Sequence, residues 1–416
     1  MAEIRGFNGV RYGLADAREA EQVIAPPYDV ISPAEQQALW ERSPHNIVRL
    51  ELPKSEPSDS AENNRYTRAA QLYRDWLAAG VLRHDAEPCL YIYGQRYQVG
   101  DHSQERLGLL AALKVEPYEA GVVLPHEQTF PKHKEDRFQL LRTARAQFSP
   151  IFGLYSAPEV DVRVALAERT AEAPAAVATD PEGVEHRLWP VSDPAFAQWA
   201  TEAFAGRQVF IADGHHRYET AVRYAAERGA SEGGAGQFDH VMAFLVEMDD
   251  PGLVLLPTHR LVRGPLPPPE ELSGLLQPYF RIERVTLDEA DALEHHQIGI
   301  VLPDGAAWRL TLTDEGALDR LDQEHSPAWR DLDVALLHRL VFSEVLQVGA
   351  DHEVVYTRDP AEARSRVLNA EFDASFLLPS PRVEELKLVA AAGDRMPEKS
   401  TYFWPKAISG LVIYGE

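Results

Sequence analysis

The sequence predicts an α+β fold: helices and strands in irregular alternation, spread over more than one domain. Three observations predict it. Apolar residues recur with the helical period in some stretches and with the strand period in others. The two kinds of stretch follow one another without a regular strand–helix–strand succession. The chain has 416 residues, 45% of them hydrophobic and 25% charged, which is the profile of a globular protein with room for about two or three domains.

From the N-terminus, Ile24–Ile31 (IAPPYDVI) has an extended entry fixed by Pro26 and Pro27, followed by Tyr28 and Asp29. Lys54–Asn64 is polar and reads as a surface loop. Arg65–Ala79 carries Tyr66, Ala69, Ala70, Tyr73, Trp76 and Leu77 at helical spacing, and Gly80 is the stop. Cys89–Gln98 alternates as a strand, and Leu107–Val115 is an apolar run. An apolar strand end at Val122–Leu124 leads into Pro125, His126 and Glu127, and Phe138–Ala146 reads as helix. Glu159–Gly183, rich in Ala, Glu and Pro, reads as an exposed helix and a loop. Val209–Ile211 is a short strand, the Asp213-Gly214 turn follows, and Ala221, Val222, Ala225 and Ala226 mark a helix that Gly229 would close. Glu219 and Arg223 stand four apart in the favourable order for a pair. Val241–Val246 is a further apolar run. Gly264–Glu270 (GPLPPPE) reads as a linker, because its prolines forbid a ladder or helix. Gln297–Thr313 reads as a hairpin turning at Asp304-Gly305, and Leu332–Leu346 as a buried amphipathic helix. The expected division is an N-terminal α/β part over 1–104, a core over 105–263 and a C-terminal α+β domain over 264–416.

The formal charge is −24 at pH 7. So acidic a surface repels phosphate backbones and anionic lipid, which argues against nucleic-acid and membrane partners. The opening residues lack a signal-peptide core, and no run approaches a membrane span. The single cysteine, Cys89, rules out an intrachain disulfide and a thiolate cluster, and its strand-like setting makes it a small buried residue. A cytoplasmic protein is expected. Fifteen histidines raise the question of metal, but their spacings fit no helix-face ligand pattern, so zinc is not expected.

Chemistry-bearing residues concentrate in Gln208–Gly229. Asp213, Gly214, His215, His216 and Arg217 lie where a strand gives way to a helix, whose first N–H groups are unsatisfied and favour phosphate. Gly214 lets a ligand approach the backbone, and His215, His216 and Arg217 add donors. Asp213 is placed to take magnesium or a ribose hydroxyl. The competing reading is an Asp that merely caps the helix. A second group follows the strand at Val122: His126, Glu127, Lys132, His133, Lys134, Glu135, Asp136 and Arg137. A carboxylate among cations there can act as general base on a hydroxyl, and Glu127 stands out because it follows the strand and a proline. The alternative is a solvated charged run. Lys399 and Ser400, in MPEKSTY, resemble a phosphate-contacting pair, but no Gly-rich loop precedes them and aromatic packing at a domain seam accounts better for that segment.

The string GHHRYETA, Gly214–Ala221, resembles the GxxR-x-x-x-A box of the ParB/sulfiredoxin superfamily, which binds nucleotide phosphates in ParB-type proteins. His215 stands where sulfiredoxin has its catalytic cysteine, which excludes that chemistry. With HE upstream, DGHHR is similar to the free serine kinases of the superfamily. The resemblance implies a ParB/sulfiredoxin-like core, with Lys132–Gly153 and the Ala/Glu/Pro-rich stretch inserted. It implies Glu127 as base, and Asp213, Gly214, His215, His216 and Arg217 as phosphate and metal residues. Over its length the chain is similar to a bacterial and archaeal family, domain-of-unknown-function family 1015, through APPYDVIS, HNIVRLELPK, PHEQTFPKHKEDR, FSPIFGLY, FIADGHHRYETA and MPEKSTYFWPKAISGLVIY.

The expectation is therefore a kinase-like phosphotransferase using ATP or ADP with Mg2+ on the hydroxyl of a small molecule such as free serine. Glu127 and His216 are the expected catalytic residues, and Asp213 the metal ligand. Tyr28, Asp29 and Arg137 are expected on the substrate. Two rivals are a ParB-like nucleotide switch without kinase activity and a metal-dependent hydrolase.

Overall fold

A computed structural model describes residues 2–127, 131–232 and 236–415. These residues form a mixed α/β structure that parts into two compact units. The first is Met1–Pro125, Thr129–Leu253 and Pro405–Glu416; the second is His126–Gln128 and Val254–Trp404.

The first unit is built on a mixed sheet. Its strands are β1 (Ile4–Arg5), β2 (Leu90–Val99), β3 (His102–Lys114), β4 (Val123–Leu124), β5 (Ile151–Tyr155), β6 (Ala176–Thr179), β7 (Glu185–Val191), β8 (Val209–Asp213) and β9 (His240–Glu247). Their order is β4-β8-β5-β9-β3-β2-β7-β6, with β1 paired on β3. The β4–β8 and β5–β9 pairs are parallel and the rest antiparallel. The central strands read as unbroken apolar runs because both faces are covered. Leu107, Leu109, Ala111 and Leu113 turn one face of β3 into a core shared with Ile211, Leu245 and Phe204. A second core gathers on helix α1 (Arg65–Ala78), where Tyr73 and Trp76 pack with Leu140 of helix α2 (Pro131–Ala144). The expected helix at 65–79 is thus found, with Asn64 accepting from the Tyr66 and Thr67 N–H groups as its N-cap. The segment Pro405–Glu416 is stitched back into this unit: Val10 and Ile413 exchange both backbone hydrogen bonds, and so do Ala25 and Ser409.

The second unit carries a six-stranded sheet of β10 (His259–Arg263), β11 (Phe280–Val285), β12 (Gln297–Val301), β13 (Ala307–Leu312), β14 (Glu353–Thr357) and β15 (Ala374–Leu377), in the order β11-β13-β12-β15-β10-β14. Leu261, Val301, Ala307 and Leu377 form its core with Ala363, Val367 and Phe372. The expected hairpin is β12–β13, and the Asp304 carboxylate accepts the Ala306 N–H at 2.9 Å to close its turn. The helix expected at Leu332–Leu346 begins at Asp333 and widens into a π-helix over Leu336–Leu346.

Other expectations shift. The helix at 215 runs to Glu232 rather than stopping at Gly229, because Arg228 anchors the last turns through the Phe238 ring at 5.2 Å and the Glu232 carboxylate at 2.8 Å. Its buried stripe is Tyr218, Ala221, Tyr224 and Arg228, and Ala226 is exposed. Glu219 pairs with Lys134, and Arg223 with Glu135, each at 2.7 Å, instead of with each other. The Glu159–Gly183 stretch holds helix Val162–Glu168 and also strand β6. Gly264–Glu270 lies within the second unit, where the Gly264 N–H donates to Asp373 at 2.8 Å. The two units differ from the three parts read from the sequence: residue 105 falls inside β3, whose ladder with β2 is continuous from Tyr91 to His102. No helix among the described residues is long and apolar enough to cross a membrane.

Candidate functional site

Strand β8 ends at Asp213, after a bulge in its pairing with β5. Helix α3 (His215–Glu232) begins two residues later. Gly214 makes the turn at φ +91°, in the left-handed region that favours glycine. A Cβ there would lie 3.0 Å from Arg217 Nε, so the position is constrained twice. The Tyr218 N–H donates to the Gly214 carbonyl at 2.9 Å, the first bond of the helix.

Asp213 does not cap that helix. One carboxylate oxygen accepts from Lys406 Nζ and the other from Arg217 Nη2 at 2.6 Å. All three side chains are largely buried. Burial alone would raise the Asp213 carboxyl, but Lys406 and Arg217 outweigh it and hold the group well below the usual carboxylate range. Arg217 also donates to the Pro150 carbonyl, while its Nε is buried with no hydrogen-bond partner. Lys406 and Arg217 thus hold Asp213 between two cations. His215 is buried and His216 half-buried in the first turn of α3.

The N-terminal expectations gather in the same neighbourhood. Tyr28 is buried, and the Arg137 guanidinium lies over its ring at 4.0 Å. Arg137 donates to the Glu51 carbonyl at 2.7 Å and pairs with Asp136. Ser149 Oγ donates to the Glu51 carboxylate at 2.9 Å. Burial pushes the Tyr28 hydroxyl up, and the exposed Asp29 adds to the rise. Burial would lower Arg217, but Asp213, Asp29 and Tyr28 all hold it in the charged form. Tyr28, Asp29, Asp213 and Arg217 therefore share one electrostatic environment. A cavity of about 40 Å³ beside them is lined by Glu51, Arg137, Ser149, Arg217 and Thr220.

Glu127 belongs to the second unit. It follows His126, which is fully buried and hydrogen-bonded through Nε2 to Thr401 Oγ1 at 2.8 Å. The Glu127 carboxylate accepts the Lys399 N–H. Lys399 has φ +56°, and its carbonyl accepts from Arg260 Nη2 at 2.9 Å, so its backbone is gripped at both polar groups. Arg260 is fully enclosed, and burial pulls it down to about 10 despite Tyr356 and Glu127. Ser400 donates to the Pro397 carbonyl, a local turn. The side chains of Lys132 and His133 lie outside those described. Cys89 is buried as expected, and burial raises its thiol.

Residues 4–335 match the family described as "Protein of unknown function (DUF1015)". The chain belongs to this family. Nothing among curated proteins matches it. Among solved structures, a conserved hypothetical protein from Pyrococcus furiosus aligns at 13% identity over 69% of this chain and 89% of its own, with a TM-score of 0.35. A free serine kinase in complex with AMP aligns at 14% identity over 68% and 84%, with a TM-score of 0.37. A C-terminally truncated SbnI from Staphylococcus aureus aligns at 12% over 72% and 85%, with a TM-score of 0.36.

Sequence reasoning missed Lys406, Glu51 and Ser149. Lys406 stands 193 residues from the carboxylate it meets, and only its place in a distinctive string near MPEKSTY hinted at a role. Nothing local marks Glu51 or Ser149.

Proposed function

We propose that the Asp213–Arg217 turn binds the phosphates of a nucleotide and that the chain is a nucleotide-dependent phosphotransferase acting on the hydroxyl of a small molecule, with free serine the first candidate. The observation that carries the reading is the use of Asp213. It spends both oxygens on Lys406 and Arg217 instead of capping α3. The turn is thereby a preorganised cationic cradle at the start of an 18-residue helix, the arrangement that holds phosphate. The DGHHR string supports the same reading through its resemblance to nucleotide-binding boxes, and with it a ParB/sulfiredoxin-like core.

In this reading Gly214 lets a phosphate approach the backbone. Arg217, His215 and His216 offset the negative charge that develops on the transferred group, where most of the catalysis in phosphoryl transfer lies. Glu127 is carried over from the resemblance as the base that orients the acceptor hydroxyl. Arg137 and Tyr28 support the wall of the neighbourhood rather than meet substrate, since each is buried against the other; Asp29 is the exposed member and is assigned the substrate contact. Magnesium does not fit at Asp213 as it is paired, because a divalent cation there would face an ammonium and a guanidinium. Asp213 is assigned to fixing Lys406 and Arg217.

The test is thermal unfolding with ATP, ADP, CTP or GTP, each with and without magnesium, for the unaltered chain and Arg217→Ala. A ligand at 100 times its Kd stabilises the native state by about 2.7 kcal/mol, so binding raises Tm. A rise with an adenine nucleotide that Arg217→Ala removes is the expected result. A rise with CTP alone favours the switch, and no rise with any nucleotide ends both readings. Glu127→Gln should keep the Tm rise and abolish phosphorylation of the acceptor.

A further inference from the structure

The second unit brings together residues that sequence spacing kept apart. His295 and His296 enter strand β12, and their rings stack at 3.8 Å. Both present Nε2 to one carboxylate: His295 Nε2 lies 3.5 Å from Asp331 Oδ2, and His296 Nε2 lies 3.2 Å from Asp331 Oδ1. One ligand atom from each residue falls within 4.8 Å of the others.

Asp333 sets this geometry. Its largely buried carboxylate takes His295 Nδ1 at 3.2 Å and the His296 backbone N–H at 2.6 Å. His296 is held at φ +63° by that contact, an unusual conformation for a residue with a side chain. A histidine that donates Nδ1–H to a carboxylate keeps its lone pair on Nε2. In His295 that lone pair faces the Asp331 carboxylate, and His296 Nε2 faces the same carboxylate and, at 3.3 Å, the Asp331 carbonyl. Lone pairs that converge in this way attract only when a proton or a cation lies between them. The carboxylate–histidine arrangement is also the usual outer support of a metal-binding imidazole.

A second observation comes from the neighbouring cavity of about 340 Å³, lined by His295 and Asp333 together with His259, Asp291, Ser380 and Arg382. His259 is almost fully enclosed, and its Nε2 has no hydrogen-bond partner. Its Nδ1 accepts the Leu378 N–H at 3.2 Å, so Nε2 carries the proton and calls for an acceptor in this polar cavity.

We propose that His295, His296 and Asp331 bind a divalent transition-metal ion of the zinc class, oriented by Asp333, with a water or small ligand completing the coordination. Two imidazoles and one carboxylate suit zinc over magnesium or calcium, which take oxygen. Three protein ligands leave a fourth position open.

The experiment uses the full chain, stripped of metal and titrated with Zn2+ against a chromophoric chelator, then with Co2+ by visible absorption. The expected result is one tight equivalent of Zn2+ and a Co2+ spectrum of tetrahedral intensity. His296→Ala and Asp331→Ala should abolish both. Asp333→Asn should weaken binding about 10–100-fold, as loss of an orienting partner does. His102→Ala, on the other unit, should change nothing. Asp331 is exposed, so its variant stays folded, which circular dichroism checks. Absence of saturable Zn2+ binding, or binding that survives His296→Ala and Asp331→Ala, overturns the proposal and leaves the two rings as hydrogen-bond partners of Asp331.

Discussion

Asp213 and Asp331 are each a carboxylate shared by two nitrogen-bearing side chains, and they differ in almost everything else. Asp213 is buried, and its partners Lys406 and Arg217 carry permanent charge. Asp331 is exposed, and its partners are imidazoles. In the first case both carboxylate oxygens are taken by cations whose charge does not depend on pH near neutrality. In the second, in the reading proposed above, the carboxylate and the two ring nitrogens are themselves the ligands. The two proposals divide on that difference: burial with fixed charges is read as a site for anions, exposure with ring nitrogens as a site for cations.

The comparison is sharpest at Asp213. Asp213→Asn keeps the shape but leaves Lys406 and Arg217 buried without their anion, and breaking one side of such a pair costs about 3–5 kcal/mol. Chemical denaturation should show that loss, and a loss below about 1 kcal/mol would mean the pairing is not what holds the turn. Acid provides the next test, in the second unit. Burial and Arg260 lower His259 to about 4, so the unfolded chain takes its proton first. Its contribution is complete at neutral pH and is lost as pH falls from about 6.5 towards 4, to a total of about 3 kcal/mol. His259→Asn, which retains an acceptor for the Leu378 N–H, should flatten the denaturation midpoint between pH 7 and pH 4. An unchanged slope would assign the acid sensitivity elsewhere. The smallest effect is expected at Asp331. Without metal, Asp331→Asn should change stability by no more than about 0.5 kcal/mol, as an exposed substitution does. A loss as large as that at Asp213 would erase the distinction between the two carboxylates.

Much of the fold was legible because the signals were local. The helix at 65–78 has its stripe and its Asn64 cap, the 297–312 hairpin has Asp304-Gly305, and the strand ending at Asp213 has Gly214 after it. The turn was legible for the same reason, since five consecutive residues make it. Where reading failed, the decisive contact was distant. Helix α3 passes Gly229 because Arg228 finds Phe238, and GPLPPPE is an internal connection because Asp373 pins Gly264. The two-unit division was hidden because the first unit is discontinuous: a helix or strand period reports a neighbour's spacing, never a return of the chain after a whole intervening unit. The second cation of the Asp213 turn and the carboxylate of the two histidines were invisible on the same ground.

That discontinuity gives Asp213 a history. Lys406 is made 193 residues after the carboxylate it neutralises. At ordinary ribosomal speeds of about 5–20 residues per second, the interval is on the order of 10 to 40 s. During that time the nascent first unit has its sheet strands in hand but holds a carboxylate with Arg217 alone, and the edges later closed by Ser409 and Ile413 stay open. The Asp213 turn is thus among the last parts of the first unit to be completed, and a nascent chain gives Asp213 its second cation only after the second unit has been translated.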